Sequence, residues 1–316
     1  LVDFGPQYYC RFNEKTVNGM TPKLYHEIYR PTVTAKAAVL LIHGMAEHSG
    51  RYGDFAEFLC GHGFLVITYD HPGHGHTVDS EKELGFFRKE NPAGALVEGA
   101  VEMAKYMKSL SPGLPQFVLG HSMGSFVTRL LISKVNFDGA IIMGTSGPKT
   151  GIKALAAYFE FKNKKAPHDK SRMNILLNRA MNIRFRDEDD PQSWISLSKD
   201  NREAFRNDPS TGFDFTNNGF YGLFSLYRDA TKSDWAAAVD KKLPMLFVSG
   251  GNDPVGNFGK GLKKTVDDLC SKGFADIELK LYPNFRHEIL NERDNHLVYA
   301  DILNWLLLRV DKQDAC

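Results

Sequence analysis

The feature that most restricts this chain is a rhythm. Short apolar runs at 37–42, 64–69, 117–119, 140–143 and 245–248, and a further strand-like stretch at 277–282, alternate with stretches of helical periodicity at 52–61, 93–110, 123–133, 259–272 and 296–310. A strand buried on both faces has no polar alternation, so it reads as a short unbroken apolar run. Parallel neighbours need a crossover between them, and the helical stretches supply it. The order therefore predicts an α/β fold with a mostly parallel central sheet flanked by helices. Two alternating stretches at 8–12 and 24–29 precede it and predict an antiparallel pair at one sheet edge.

The rhythm stops near Ser146 and resumes near residue 235. Between them the sequence is helical, rich in charge and rich in aromatics, among them Tyr158, Phe159, Phe161, Trp194, Phe213, Phe215, Phe220 and Phe224. Residues 146–234 read as an inserted helical cap, with 1–145 and 235–316 forming one core. At 316 residues and 42% hydrophobic content, such a core needs neither disulfides nor a metal. Lys and Arg number 39 against 38 acidic residues, so no global field draws the chain to nucleic acid, and none is expected as a partner. Cys10, Cys60, Cys270 and Cys316 form no C-x-x-C pair, which argues against a zinc ribbon and predicts a reducing, cytoplasmic setting. Every apolar run falls far short of the roughly eighteen residues that span a bilayer. The chain opens on Leu1 rather than methionine, and a trimmed N-terminus is expected.

Gly120-His121-Ser122-Met123-Gly124 has the G-x-S-x-G form. Alone the pattern is weak; here it follows an apolar run and opens a helical stretch, the strand-turn-helix setting it requires. The turn is tight enough that side chains two positions either side of the serine would collide, hence Gly120 and Gly124. Ser122 is expected in a strained conformation that presents its hydroxyl at the top of the sheet. A serine hydroxyl is a poor nucleophile near neutral pH, so a base must take its proton and a third group must fix that base's tautomer.

In this setting the partners follow in the order acid, then histidine, each on a loop after a strand. Only His168, His287 and His296 come after Ser122. His168 lies in a charged stretch and His296 opens the last helix, whereas His287 sits just past the run 277–282. Asp253 follows the run 245–248 in Gly250-Gly251-Asn252-Asp253-Pro254. Ser122, Asp253 and His287 are thus the expected catalytic triad. The backbone amides of Met123 and of Met45, in the loop after 37–42, are the expected oxyanion donors. No metal or organic cofactor is called for.

Four stretches together carry a resemblance: 43–52 (HGMAEHSGRY), 69–75 (YDHPGHG), 120–124 and 287–292 (HEILNE). They resemble the monoacylglycerol lipase and lysophospholipase branch of the α/β-hydrolases, which also takes in serine aminopeptidases. The likeness implies the same triad positions, Ser122, Asp253 and His287, and the same oxyanion positions, Met45 and Met123. The chain departs from the family's pattern at Ala46, where glycine is frequent, and at Thr77, where serine is. In the insertion, Trp194 and residues 208–216 resemble a segment of bacterial members.

An aromatic-rich insertion over the sheet's carboxyl end suits an ester with an apolar acyl chain as small-molecule substrate. Monoacylglycerol-like or lysophospholipid-like esters lead, with short-chain carboxylesters next. An aminopeptidase is the alternative within hydrolases; it would need an acidic anchor for the substrate amine, for which Glu160 and residues 187–190 are candidates. Ile152, Leu155, Ala156 and Phe159 have helical spacing and form one apolar face, packed inward or in transient contact with a lipid surface; packing is the simpler reading. A non-catalytic ligand receptor on the same fold is the rival from another class. Epoxide hydrolysis and dehalogenation are disfavoured, because their nucleophile in this fold is a carboxylate and this turn carries Ser122.

Overall fold

The computed structural model describes residues 9–12, 22–186, 188 and 190–314. Among these, eight strands form one sheet: β1 (Tyr9–Phe12), β2 (His26–Pro31), β3 (Ala37–Ile42), β4 (Phe64–Tyr69), β5 (Gln116–His121), β6 (Gly139–Met143), β7 (Met245–Gly250) and β8 (Ile277–Tyr282). Their order in space is β1-β2-β4-β3-β5-β6-β7-β8; the first two junctions are antiparallel and the other five parallel. The expected antiparallel pair is thus β1 and β2, with β1 at the edge.

The apolar runs are unbroken because the sheet is covered on both sides. Ala38, Leu40 and Ile42 of β3 pack in one cluster with residues such as Leu96, Met103 and Val127, while Ala37, Val39 and Leu41 pack in a second with Phe55, Leu59 and Ile302. Alternate residues of one strand enter opposite faces, as the pleat requires. The first cluster rests on α2 (Pro92–Leu110), which with α1 (Gly53–Gly61) flanks the first crossovers, and on α3 (Met123–Leu131). The second rests on α1 and on the last helix of the chain.

From β3 the chain steps one way to β4; α2 then carries it back across β3 to β5, and β6, β7 and β8 follow in the other direction. The two directions diverge between β3 and β5. In open α/β sheets a ligand site belongs at the carboxyl ends there.

Between β6 and β7 lie α4 (Ile152–Lys165), α5 (Met173–Met181), α6 (Lys199–Asn207) and α7 (Asn217–Thr231); α8 (Lys260–Ser271) and α9 (Asn295–Asp314) complete the chain. The expected apolar face of α4 packs inward. Ala156 and Phe159 are buried, Ile152 and Leu155 are half-buried against the core, and the Phe159 ring lies 5.2 Å from Phe220 and 5.4 Å from Phe224 on α7. α7 packs on α2 and α3 as well as on α4, so this part of the segment between β6 and β7 is continuous with the helical layer beneath it.

Asn218 ties α7 to the loop before α2. Its Oδ1 accepts from the Phe87 amide at 3.0 Å, and its Nδ2 donates to the Arg88 carbonyl at 2.7 Å and to Asn163 Oδ1 at 2.9 Å. The side chain is fully buried, so an apolar replacement strands these groups away from water. Asn218→Leu is expected to lower stability by about 2–4 kcal/mol, read from urea denaturation.

Candidate active site

β5 ends at His121 and α3 begins at Met123, leaving Ser122 alone to turn the chain from strand to helix. It does so at φ 52° and ψ −117°, a conformation that a side-chain-bearing residue adopts only when its surroundings impose it. A Cβ on Gly120 would lie 2.2 Å from Thr128 Oγ1, and one on Gly124 would lie 2.3 Å from the Ile42 carbonyl oxygen and 2.5 Å from that of His43. The two glycines let α3 start against the ends of β3 and β5. The Ser122 amide donates to the Met143 carbonyl at 3.0 Å, anchoring the turn to β6.

The carboxyl ends of β7 and β8, paired at Gly250 and Tyr282, feed the loops that carry Asp253 and His287. Three of the residues expected from the sequence meet here. His287 Nε2 lies 2.9 Å from Ser122 Oγ, and His287 Nδ1 lies 3.0 Å from Asp253 Oδ2. Asp253 is fully buried and also accepts from Ser249 Oγ at 2.9 Å and from the Val255 amide at 2.8 Å. An ionised carboxylate only accepts, which assigns the proton to Nδ1 and leaves Nε2 as acceptor for the serine hydroxyl.

Burial opposes a charge on His287, but the Asp253 carboxylate and its hydrogen bond outweigh it and hold the imidazole pKa above its ordinary value. Burial likewise pushes Asp253 up, and the histidine's charge and hydrogen bond reverse this, keeping it below the usual carboxylate value. The other two histidines are elsewhere: His168 is exposed and stacks on Phe86 at 4.2 Å, and His296 is exposed in the first turn of α9.

Met123 is buried and opens α3, where the first amides have no intrahelical acceptor. Met45 lies in the loop after β3, which the Gly44 amide fixes by donating to Glu47 Oε1 at 2.6 Å. A Cβ on Gly44 would sit 3.1 Å from Ser122 Cβ, so the loop passes directly over the serine. Ala46 follows at φ 51°, a left-handed backbone that favours glycine. The departure noted in the sequence is therefore a strained alanine, whose carbonyl accepts from the Gly212 amide at 2.8 Å.

Around this line of residues is a buried charge network that one-dimensional spacing did not reveal. Arg51 Nη1 donates to Glu47 Oε2 at 2.8 Å and to Glu288 Oε1 at 2.7 Å, and Nη2 reaches Glu288 Oε2 at 2.7 Å and Asn201 Oδ1 at 2.9 Å. Tyr52 donates to Glu47 Oε1 at 2.8 Å. Burial would raise both carboxyl pKa values. For Glu47 the bond to His121 and the Arg51 charge win, holding it well below the ordinary range; for Glu288 the Arg51 charge does. Glu288 is the next residue after His287, so this network fixes the histidine's loop. Both 43–52 and 287–292 had been singled out as motif stretches, but nothing in the sequence joined Arg51 to Glu288.

The segment between β6 and β7 reaches the same place. The Trp194 ring lies 5.2 Å from that of His287, and its Nε1 donates to Asn178 Oδ1 at 2.8 Å. The Glu288 amide donates to the Ile195 carbonyl at 2.8 Å, Glu292 accepts from Ser196 Oγ at 2.8 Å and from the Leu197 amide at 3.0 Å, and Arg286 pairs with Glu188. His43, His71 and His74 form a separate buried cluster with centroids 4.5–6.0 Å apart, all pushed below the ordinary histidine pKa by burial. Among the described residues no group of three or more His, Cys, Asp or Glu side chains is arranged to hold a metal ion.

This strand order, with a serine on the strained turn at its switch point, defines an α/β-hydrolase. The family model for serine aminopeptidases, S33, matches residues 33–294, and the chain belongs to that family. Relatives include a monoglyceride lipase homolog of Monkeypox virus, 26% identical over 91% of this chain and 95% of that one, and a monoacylglycerol lipase of Mycolicibacterium smegmatis, 27% identical over 90% and 93%. A thermostable carboxyl esterase from Bacillus coagulans, solved in complex with glycerol, superposes with a TM-score of 0.86 at 26% identity, covering 96% of this chain and 100% of that one.

Followed by NMR through its ring protons, His287 is expected to titrate above about 6.5, and Asp253→Asn should move it downwards, because burial is then opposed only by the smaller pulls of Glu288 and Glu47. Arg51→Met leaves Glu47 and Glu288 buried without their shared cation. It should lower stability by about 3–5 kcal/mol in denaturant unfolding.

Proposed function

We propose that the protein is a serine ester hydrolase acting on monoacylglycerol-like or lysophospholipid-like esters through an acyl-enzyme on Ser122. The observation that carries this is the hydrogen-bonded line from Ser122 Oγ through His287 to the buried Asp253. Ser122 Oγ attacks the ester carbonyl as its proton passes to His287 Nε2, and Asp253 stabilises the imidazolium that forms. The Met45 and Met123 amides receive the developing oxyanion. His287 returns the proton to the leaving alcohol, and water repeats the sequence on the acyl-enzyme to free the acid.

The names of the full-length relatives support a glycerol ester of a fatty acid as substrate class. The acids that an aminopeptidase would need are engaged elsewhere: Glu160 pairs with Lys164 at 2.8 Å, Glu188 with Arg286, and Asp190 with Arg202 and Arg206 at 2.8 Å each. Asp187 and Asp189 lie outside the described residues. In this reading 146–234 acts as a cap, with the Trp194 ring 5.2 Å from that of His287. Tyr158, Phe161, Ile175 and Leu176 stand exposed on α4 and α5 and would make the transient contact with a lipid surface. Among the described residues no helix is long and apolar enough to cross a membrane, and the scattered cysteines support a cytoplasmic setting.

The test is hydrolysis of p-nitrophenyl esters from acetate to palmitate and of 1-monoacylglycerol by wild type and Ser122→Ala. Loss of about four or more orders of magnitude in kcat/KM for the variant is expected, with an optimum at long acyl chains; an optimum at acetate would make this a short-chain carboxylesterase. The acid limb of kcat/KM should fall above about pH 6.5, because protonated His287 cannot accept the serine proton and its pKa is raised. Failure of both proteins on every ester, together with no fluorophosphonate labelling, would return the chain to the receptor reading.

A further inference from the structure

Away from Ser122 the molecule carries a cavity whose lining the catalytic reading does not use. It has a volume of about 520 Å³ and lies between the start of α4, the end of α7 and the outer face of α8. That volume falls within the roughly 300–1,000 Å³ of small-molecule sites. None of Ser122, Asp253 and His287 lines it.

Its lining is cationic out of proportion to a chain of near-zero net charge. Lys149 and Lys153 stand on one wall, Lys232 and Arg228 on another and Lys264 on a third, against one acid, Asp268. That acid is already held by Lys272, while Arg228 pairs with Asp229 at 2.8 Å and Lys232 with Asp234 at 3.5 Å. Lys149, Lys153 and Lys264 form no ion pair among the described residues.

At its base is Arg129, 1% exposed and with no carboxylate partner among the described residues. Its Nη1 donates to the Ser146 carbonyl at 2.9 Å, and its guanidinium stacks 4.3 Å over the buried Trp235 ring. Its Nε has no hydrogen-bond partner. The Asp268 charge acts on it without forming an ion pair, and a guanidinium taken wholly out of water without a directly bonded counter-charge is strongly unfavourable, so such groups in folded proteins are ordinarily paired. Burial also pushes its pKa down to about 9, so its charge is incompletely supported by the protein itself. The stacking on Trp235 and the bond to Ser146 fix the plane of the fork and leave one edge unsatisfied.

We propose that this cavity binds a phosphate monoester, with Arg129 as the contact at its base and Lys149, Lys153 and Lys264 around its mouth. A carboxylate would satisfy Arg129 alone. A doubly charged tetrahedral anion has acceptor oxygens left over for the surrounding ammonium groups, and Arg is the side chain whose fixed donors suit phosphate. The remaining volume accommodates the organic part of the ligand. The phosphate belongs either to a soluble ester or to the headgroup of a lipid.

The protein is labelled with 15N and its arginine Nε–H resonances are followed while inorganic phosphate or glycerol 3-phosphate is added at constant ionic strength, with chloride as control. The Arg129 signal, assigned by its loss in Arg129→Lys, is expected to shift saturably with a Kd below about 1 mM. The double variant Lys153→Glu, Lys264→Glu should weaken binding by about ten-fold or more while its ester turnover and melting temperature stay at wild-type values. This pair keeps the test intact if changes at the buried Arg129 prevent folding. In parallel, flotation with phosphatidylcholine vesicles is compared with and without phosphatidic acid. Binding only to the phosphatidic acid vesicles, lost in the double variant, assigns the phosphate to a lipid headgroup. Binding that the double variant keeps, a response that chloride reproduces, or no saturable binding in any arm overturns the proposal.

Discussion

The first turn of α3 passes so close to the end of β3 that Gly124 has no room for a Cβ between the Ile42 and His43 carbonyl oxygens. Much of the site follows from that approach. With the helix pressed against the sheet, one residue must reverse the backbone, and Ser122 is driven to positive φ with its hydroxyl outward. The same closeness brings the loop after β3 over the serine. The strain is not relieved locally. It is held by the surrounding strands, in which β5 sits between β3 and β6 with every residue buried.

A second constraint acts on the histidine. Ser122 stands at the end of β5, whereas His287 comes from the loop after β8, three positions away in the sheet, so a long excursion has to be held without strand pairing. Charge accomplishes this. Arg51, between two buried carboxylates, locks the residue next to His287 to the helical turn before α1, and Glu292 gathers amides from both sides of the gap. Buried pairs of this kind add little net stability, but they fix geometry, because any other arrangement leaves a charge without a partner.

What the sequence disclosed and what it withheld separate along physical lines. The strands from β3 to β7 were legible because burial on both faces writes an unbroken apolar run, and their ends fall within two residues of those expected. Ser122, Asp253 and His287 could be chosen because chain order and strand ends leave few candidates, and they lie in one hydrogen-bonded line. The partners of Arg51 were invisible: residue 288 is remote in sequence, and a surface ion pair and a buried one look alike in one dimension. The α4 face was legible as apolar and packed inward, but not which element covers it, since only the position of α7 decides that. Ala46 was noticed as unusual, but its left-handed backbone is a property of the folded loop.

The bonds from Ile195, Ser196 and Leu197 to Glu288 and Glu292 make the residues beside Trp194 and the histidine loop a single mechanical piece. Insertions of this kind are commonly pictured as interchangeable modules, free to diverge while the machinery below stays constant. Here that independence is forfeited. A graft exchanging residues 185–202 with those of a relative would carry half of a buried hydrogen-bond set into a host holding a different half, and the imidazole would inherit the mismatch. Selection for a new acyl group would therefore have to move through paired changes across this seam, or confine itself to α4 and α5, where the histidine loop is not the neighbour.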